Sequence, residues 1–224
     1  MVGAIAVVTV VVALVALVLL GLVAALVVAV VGAAVVAYAW LAGGPLALRV
    51  TGASPADETT HARLHNLTEG LCVATGLPKP ALYVVDDPGA NAFAVGRDPA
   101  HAAVVVTTGL LDVLGRIELE GLLAQELTHI RSGDTVVGTL VVALPFLGGL
   151  LDAHREQLAD LAAVEVTRYP PGLAAALEKL RDHGTALRTS SFAVAHLWVA
   201  PPDGSPPPAG VPALDERIAA LHEL

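Results

Sequence analysis

The sequence has a single cysteine, few basic residues and no charged residue before Arg49. Because Cys72 stands alone, no intramolecular disulfide and no cluster of thiolate zinc ligands can form. The 12 Lys and Arg residues are scattered singly against 21 Asp and Glu, which gives a formal net charge of -9. Binding to phosphates requires clustered Lys and Arg, so this composition excludes a nucleic-acid-binding protein.

The missing charge reflects a long apolar N-terminus, built almost entirely of Val, Ala and Leu from Val2 to Leu41. A single helix of that length would measure about 60 Å, roughly twice the thickness of the hydrocarbon core. We therefore predict two membrane spans, at about residues 2–20 and 23–41, which turn near Gly21 and end at Gly43-Gly44-Pro45. The alternative is a pair of buried helices in a soluble protein.

Residues 45–224 have the composition of one globular domain. Three runs of strand type, Ala81–Val85, Ala92–Val95 and Ala102–Thr107, are separated by strong turn signals and predict a small, mainly antiparallel sheet. Helical spacing of apolar residues predicts helices over 59–75, 109–114, 118–130, 150–167, 171–183 and 214–224. The Pro- and Gly-rich stretch 201–212 predicts a loop. The fold class is α+β: a transmembrane helical hairpin followed by a mainly helical domain.

The helix predicted over Glu118–Ile130 places a carboxylate in an apolar stripe. Glu126 lies among leucines there, which is costly unless the carboxylate is paired, hydrogen-bonded or bound to a metal. Gln125 and His129 stand one turn apart beside it. Zinc proteases carry His-Glu-x-x-His on such a helix, with two imidazoles on the metal and the Glu activating water. Alone, this pattern is weak and favours a satisfied surface histidine with no ligand role.

The helix predicted over 150–167 carries a second acidic pair. Glu156 and Asp160 are four residues apart, a spacing at which like charges destabilise a helix by about 0.2–0.5 kcal/mol. A cation or donor between them is indicated, with Glu156 as a third metal ligand and Asp160 as the carboxylate that orients an imidazole. A solvated acidic face is the alternative interpretation.

Five segments, taken in order, resemble the HtpX and CAAX-prenyl-protease family of membrane zinc metallopeptidases. They are Asn91-Ala92-Phe93-Ala94, Val104–Leu111, Glu118–Asp134, Glu156–Asp160 and Leu214–Ile218. The resemblance implies a gluzincin-type fold, a bound zinc ion and cleavage of peptide bonds, often in membrane proteins. It also implies a bacterial plasma-membrane location with the globular domain facing the cytoplasm.

The resemblance assigns roles residue by residue. It implies that Glu126 is the general base, that His129 and Glu156 bind zinc, and that Asp160 supports them. It implies that Asn91, Ala92, Phe93 and Ala94 form the edge strand that pairs with an extended peptide substrate.

Two positions depart from the family pattern. Gln125 replaces the first zinc histidine, and Val211-Pro212 stands where the family has His-Pro. Zinc prefers imidazole nitrogen to a neutral amide oxygen, and a weakened ligand costs about 3 kcal/mol, or roughly a hundredfold in affinity. Val211 cannot donate to a developing oxyanion, a loss worth roughly 10²–10³ in rate. We therefore predict reduced zinc occupancy and weak or absent catalysis.

Three functions remain open at this point. The first is a working zinc endopeptidase with Gln125 as a weak ligand, and the second is a pseudoprotease that binds peptides or a partner protease without cleaving them. The third is a structural membrane protein. A further apolar stretch, Thr135–Leu151, is predicted to be buried or re-entrant, because a third span would separate His129 from Glu156 across the bilayer.

Overall fold

The computed structural model describes residues 2–188, 191–204 and 211–224. Two apolar helices come first, α1 (Val2–Leu20) and α2 (Leu22–Val50), with Gly21 at the turn in the left-handed region at a φ of 88°. Both helices are long and apolar enough to cross a membrane, and their Val and Leu side chains are largely exposed. The predicted N-terminal hairpin is confirmed.

The predicted end of the second helix at Gly43-Gly44-Pro45 is wrong, because α2 continues through Pro45 to Val50. Tertiary packing holds this extension. Gly43 lies against the helix that contains Thr139, so closely that a Cβ would stand 2.3 Å from the Thr139 carbonyl oxygen. Ala47, one turn further on, is fully buried. The boundary predicted at residue 44 therefore falls inside a continuous helix.

Four strands form one mixed sheet in the order β1-β2-β4-β3. The strands are β1 (Ser54–Pro55), β2 (Ala81–Val85), β3 (Ala92–Gly96) and β4 (Ala102–Thr107). The central pair β2–β4 is parallel, while β1–β2 and β3–β4 are antiparallel, so the mainly antiparallel prediction holds for two of the three pairings. The strand β3, which carries most of the predicted substrate-binding segment, lies at one edge of the sheet.

Seven further helices pack around this sheet within the described residues. They are α3 (Ala62–Thr75), α4 (Thr108–Val113), α5 (Arg116–Ser132), α6 (Asp134–Ala143), α7 (Arg155–Thr167), α8 (Pro170–His183) and α9 (Leu214–His222). The helix α5 is central, and its predicted apolar stripe is buried: Leu119, Leu122, Leu123, Leu127 and Ile130. Gly121 lets α8 approach α5, because a Cβ there would lie 2.8 Å from the Leu173 nitrogen.

The apolar stretch Thr135–Leu151 does not form a third span. Its helical part, α6, has 10 residues and is therefore about 15 Å long, half of what a bilayer requires. A 3₁₀ turn, Pro145–Leu150, follows, so α7 begins at Arg155 and not at the predicted residue 150. The middle of the predicted loop 201–212, residues 205–210, lies outside the described residues.

Candidate metal centre

The two helices that carry the predicted site residues bring them together in the interior. Gln125, Glu126 and His129 on α5 are buried, as is Glu156 on α7. The Nε2 atom of His129 lies 3.6 Å from Oε1 of Glu156. The side-chain amide of Gln125 donates to the other oxygen, Oε2, at 2.9 Å. The structure therefore brings these four candidate residues into one cluster.

The histidine is oriented by a carboxylate other than the predicted one. The Nδ1 atom of His129 lies 3.2 Å from Oδ2 of Asp134, which is the first residue of α6 just after the turn at Gly133. Asp160 does not contact an imidazole. It accepts two hydrogen bonds of 2.7 Å from Nε and Nη2 of Arg217 on α9, so it supports the centre through that arginine.

The carboxylate of Glu156 is surrounded by the protein's own donors. Besides the Gln125 amide, Nε of Arg155 lies 3.3 Å from Oε1 and Nη1 of Arg217 lies 3.4 Å from Oε2. Burial alone would raise the pKa of Glu156, but the charges of His129, Arg217 and Arg155 hold it well below its ordinary value. Glu156 is therefore a paired, ionised carboxylate.

The neighbouring carboxylate, Glu126, has a contrasting environment. It lines a cavity of about 10 Å³, room for roughly one water molecule, and among the described residues no group hydrogen-bonds to its side chain. Burial raises the pKa of Glu126 to about 7 despite the nearby charge of His129. Burial opposes the charged form of His129 as well, but Glu156 and Asp134 together raise its pKa to about 10.

The donor set in this arrangement does not fit the zinc ion that the resemblance implies. Gln125 turns its NH₂ group, a donor, towards Glu156 and to within 3.4 Å of Nε2 of His129, while its carbonyl oxygen is buried without a hydrogen-bond partner. Across residues 2–188, 191–204 and 211–224, no group of three or more His, Cys, Asp or Glu side chains could hold a metal ion.

The edge of β3 that faces this cluster is largely covered by the chain itself. Because Asn91 pairs with Thr107 of β4 through its carbonyl, residues 92, 94 and 96 turn their backbone groups to the free edge. The carbonyl of Ala92 accepts from the Val199 amide at 2.9 Å. The Thr139 hydroxyl bonds to both the amide and the carbonyl of Gly96, at 2.9 and 3.1 Å. Ala94, which lines the cavity, is the position between them.

Two of the four predicted substrate-binding residues have side chains that hold the covering segment against β3. The Asn91 side-chain amide donates to the carbonyl of Ala200 at 2.9 Å. Phe93 is fully buried and packs edge-on against Trp198, with ring centroids 4.6 Å apart. Both side chains bind the segment 197–200 of the same chain, so only backbone groups of β3 could pair with a peptide.

Three charged residues of the centre have roles that the sequence interpretation did not assign. Arg155, Arg217 and Asp134 complete the network around Glu156 and His129. Its sequence position could have identified Arg217. It falls at helical spacing between the apolar Leu214 and Leu221, on the face expected to be buried, where a charge needs a partner. Val211, the other departure from the family pattern, is not among the residues that line the cavity.

Comparison with known proteins identifies relatives of this chain. The model of peptidase family M48 matches residues 58–177. The protease HtpX homolog of Tropheryma whipplei (strain Twist) is 34% identical over 233 residues, covering 81% of this chain and 79% of that protein. The homolog from Caldanaerobacter subterraneus subsp. tengcongensis is 34% identical over 245 residues, covering 85% and 82%. No solved structure gives a significant match. The chain thus belongs to peptidase family M48 and is of the HtpX type, with a membrane hairpin at its N-terminus.

Proposed function

We propose that this protein is a membrane-anchored pseudoprotease of the M48 family, in which peptide-bond hydrolysis is weak or lost. The observation that carries the proposal is the Gln125 amide on Glu156, in the position that the family gives to a zinc histidine. Together with Arg155 and Arg217, this amide satisfies a carboxylate that the family uses as a metal ligand.

Zinc binding would have to undo this arrangement. The Gln125 amide would have to leave Glu156 and turn its oxygen inwards. The loss of that hydrogen bond opposes binding, and an amide oxygen is in addition a poorer zinc ligand than imidazole. The combined cost exceeds the roughly hundredfold loss in affinity, or about 3 kcal/mol, expected from the ligand change alone.

A working peptidase is the second candidate, and one observation favours it. The carbonyl oxygen of Gln125 is buried without a hydrogen-bond partner, which is costly in a protein interior. Half a turn of the amide would present that oxygen to the space between His129 and Glu156, where a cation would satisfy it. Zinc would then be held by two family ligands and one weak one, at reduced occupancy.

The proposed ligands of the pseudoprotease are peptides or a partner protease that pair with the β3 edge. Ala94 offers its backbone beside the cavity, and its neighbours Ala92 and Gly96 become available if Val199 and Thr139 move away. The hairpin and the bacterial relatives support a plasma-membrane location. We place the globular domain on the cytoplasmic face.

Cleavage of a casein-type substrate in detergent with added zinc tests the proposal. We expect the unmodified protein to cleave no faster than its Glu126→Gln variant. Without bound zinc Glu126 has no metal-bound water to activate, so removing its carboxylate should change nothing. Gln125→His should gain activity, and the double variant Gln125→His/Glu126→Gln should lose that gain. Cleavage by the unmodified protein that Glu126→Gln abolishes would establish the second candidate instead.

A further inference from the structure

We propose that residues 197–200, the covering segment, are an internal peptide ligand of β3, and that their sequence identifies the peptides that this edge binds. The segment reads Leu-Trp-Val-Ala and lies along the edge where an extended peptide would pair. The ligand class is an extended peptide in which a branched aliphatic residue precedes an aromatic one. Peptide binding at β3, the proposed function on which this inference rests, is thus controlled by a segment of the chain itself.

Contacts at four successive positions place the covering segment antiparallel to β3 and the residue before it. The opposed pairs are Asn91 with Ala200, Ala92 with Val199, Phe93 with Trp198 and Ala94 with Leu197. The first two pairs are hydrogen-bonded at 2.9 Å, the third is the ring contact at 4.6 Å, and the fourth lines one cavity. Each step forwards along β3 matches one step backwards along the covering segment, which is the register of an antiparallel strand pair.

The backbone pairing of the covering segment is nevertheless incomplete. In a regular antiparallel sheet, an opposed pair such as Ala92 and Val199 exchanges two hydrogen bonds. Here the Ala92 amide donates to the Asn91 side chain at 3.1 Å, and the Val199 carbonyl accepts from Arg217 at 2.9 Å. Leu197 turns its amide back into a 3₁₀ turn. A peptide that forms the complete ladder gains backbone bonds that the covering segment lacks, so it can displace that segment.

Two side chains of the covering segment occupy the places that give the edge its preference. The Trp198 ring is buried against the fully buried ring of Phe93. The Leu197 side chain lines the cavity beside Glu126 and lies against α6, where a Cβ on Gly138 would stand 2.7 Å from its Cδ2 atom. The missing side chain of Gly138 thus leaves room for a branched aliphatic group. A competing peptide has to bring an aliphatic group and an aromatic ring to these two places.

The covering segment is also tied to the arginines of the candidate metal centre. Arg155 donates to the carbonyl of His196, just before the segment, and Arg217 donates to that of Val199. Both guanidinium groups also pair with Glu156, so they keep an anionic partner when the segment leaves the edge. Displacement therefore leaves no charge of these pairs without its partner, and its cost is that of neutral contacts.

Binding of a synthetic peptide copied from the chain tests this inference. Fluorescein-labelled Ala-His-Leu-Trp-Val-Ala-Pro, the sequence of residues 195–201, is titrated with the full chain in detergent and followed by anisotropy. All proteins carry Glu126→Gln, so that cleavage cannot remove the peptide. Trp198→Ala should strengthen binding about tenfold, because the internal competitor loses its ring contact with Phe93. Trp40→Ala, which removes the other tryptophan, on α2, is the matched control and should leave the affinity unchanged.

Two further measurements locate the effect. A peptide with alanine in place of its tryptophan should bind the Trp198→Ala variant no better than it binds the parent. Hydrogen exchange in the parent, whose covering segment is unaltered, gives a readout that does not depend on the folding of a variant. Saturating peptide should quicken exchange of the amides at 198–200 and slow that of the Ala94 amide.

Three results would overturn the proposal: equal affinity of the parent and the Trp198→Ala variant, bound peptide without faster exchange at 198–200, or no binding to any of the proteins. Failure of the pseudoprotease assignment shows separately. Cleavage of the peptide by protein that retains Glu126 would establish a working peptidase, while displacement of the covering segment would still be measured in the Glu126→Gln background.

Discussion

The two walls of the cavity at the candidate centre differ in how their charges are satisfied. On the wall formed by α7, Glu156 is paired with Arg155 and with Arg217 of α9, and Arg217 also pairs with Asp160. On the wall formed by α5 and β3, the Glu126 carboxylate has no hydrogen-bond partner among the described residues, and Ala94 lies beside it at the open edge. The α7 wall is thus saturated by protein groups, while the α5–β3 wall, which also carries the predicted metal positions Gln125 and His129, remains open at Glu126.

This difference indicates which part of the family's machinery the chain has retained. Burying two carboxylates is expensive, and the energy is recovered only when cations and donors match them closely. In this chain two arginines and one amide provide that match without a metal. Burial raises the pKa of Glu126, and the nearby charges of His129, Arg155 and Arg217 offset this rise only in part, whereas the pKa of Glu156 is lowered.

The largest effect is predicted for removing the arginine that pairs with both carboxylates of the saturated wall, Glu156 and Asp160. Arg217→Met should lower the free energy of unfolding by about 3–5 kcal/mol, because it leaves two buried carboxylates without their shared cation. Thermal unfolding in detergent measures the loss. Arg181→Met is the matched control, since Arg181 pairs with Asp182 at the surface, where ion pairs contribute little to stability. Equal losses in both variants would show that Arg217 does not compensate a buried charge.

A smaller effect of opposite sign is predicted for the open wall. The pKa of Glu126 in the folded protein, about 7, lies above the ordinary 4.5, so the folded state binds the proton more tightly and stability falls as pH rises between these values. Glu126→Gln removes this penalty. The variant should be more stable than the parent by about 3 kcal/mol at pH 8, and the advantage should vanish by about pH 4.5.

Melting temperatures at both pH values measure this difference. Glu223→Gln, at an exposed position after α9, is the control and should change stability little at either pH. A gain for Glu126→Gln that persists unchanged at the lower pH would contradict an unpaired carboxylate in the open wall.

The smallest predicted effect concerns the covered end of β3. Val199→Pro removes the amide that donates to Ala92 and should cost about 1 kcal/mol, or roughly fivefold in the local opening equilibrium. Hydrogen exchange of the Trp198 and Ala200 amides should quicken accordingly. The amides of β4 serve as an internal reference, since they pair with the other side of β3. Unchanged exchange at Trp198 would mean that the Val199 bond does not hold the edge closed.

Local patterns in the sequence predicted the elements that carry the site. The leucine spacing around Glu126 predicted α5, and alternation between turn signals predicted β2, β3 and β4 close to their actual bounds. The meeting of His129 with Glu156 followed from the resemblance and from the unfavourable position of both carboxylates on their helices. The leucine spacing, the strand alternation and the position of each carboxylate on its helix are all properties of single segments.

Contacts between distant segments could not be predicted in the same way. Arg217 is remote in sequence from both Glu156 and Asp160, and only the fold brings α9 against α7. The run Gly43-Gly44-Pro45 favours a helix end locally, but packing of Gly43 on Thr139 outweighs that preference. The covering of Ala92 by Val199 likewise depends on tertiary structure.

The direct measurement of zinc per chain tests the claim that the protein's own donors occupy the candidate metal centre in place of zinc. The unmodified protein and its Gln125→His variant would be purified identically, dialysed against micromolar zinc and analysed by atomic emission. We expect well below one zinc per chain for the unmodified protein and close to one for the variant. One zinc per unmodified chain, lost in His129→Ala, would contradict it.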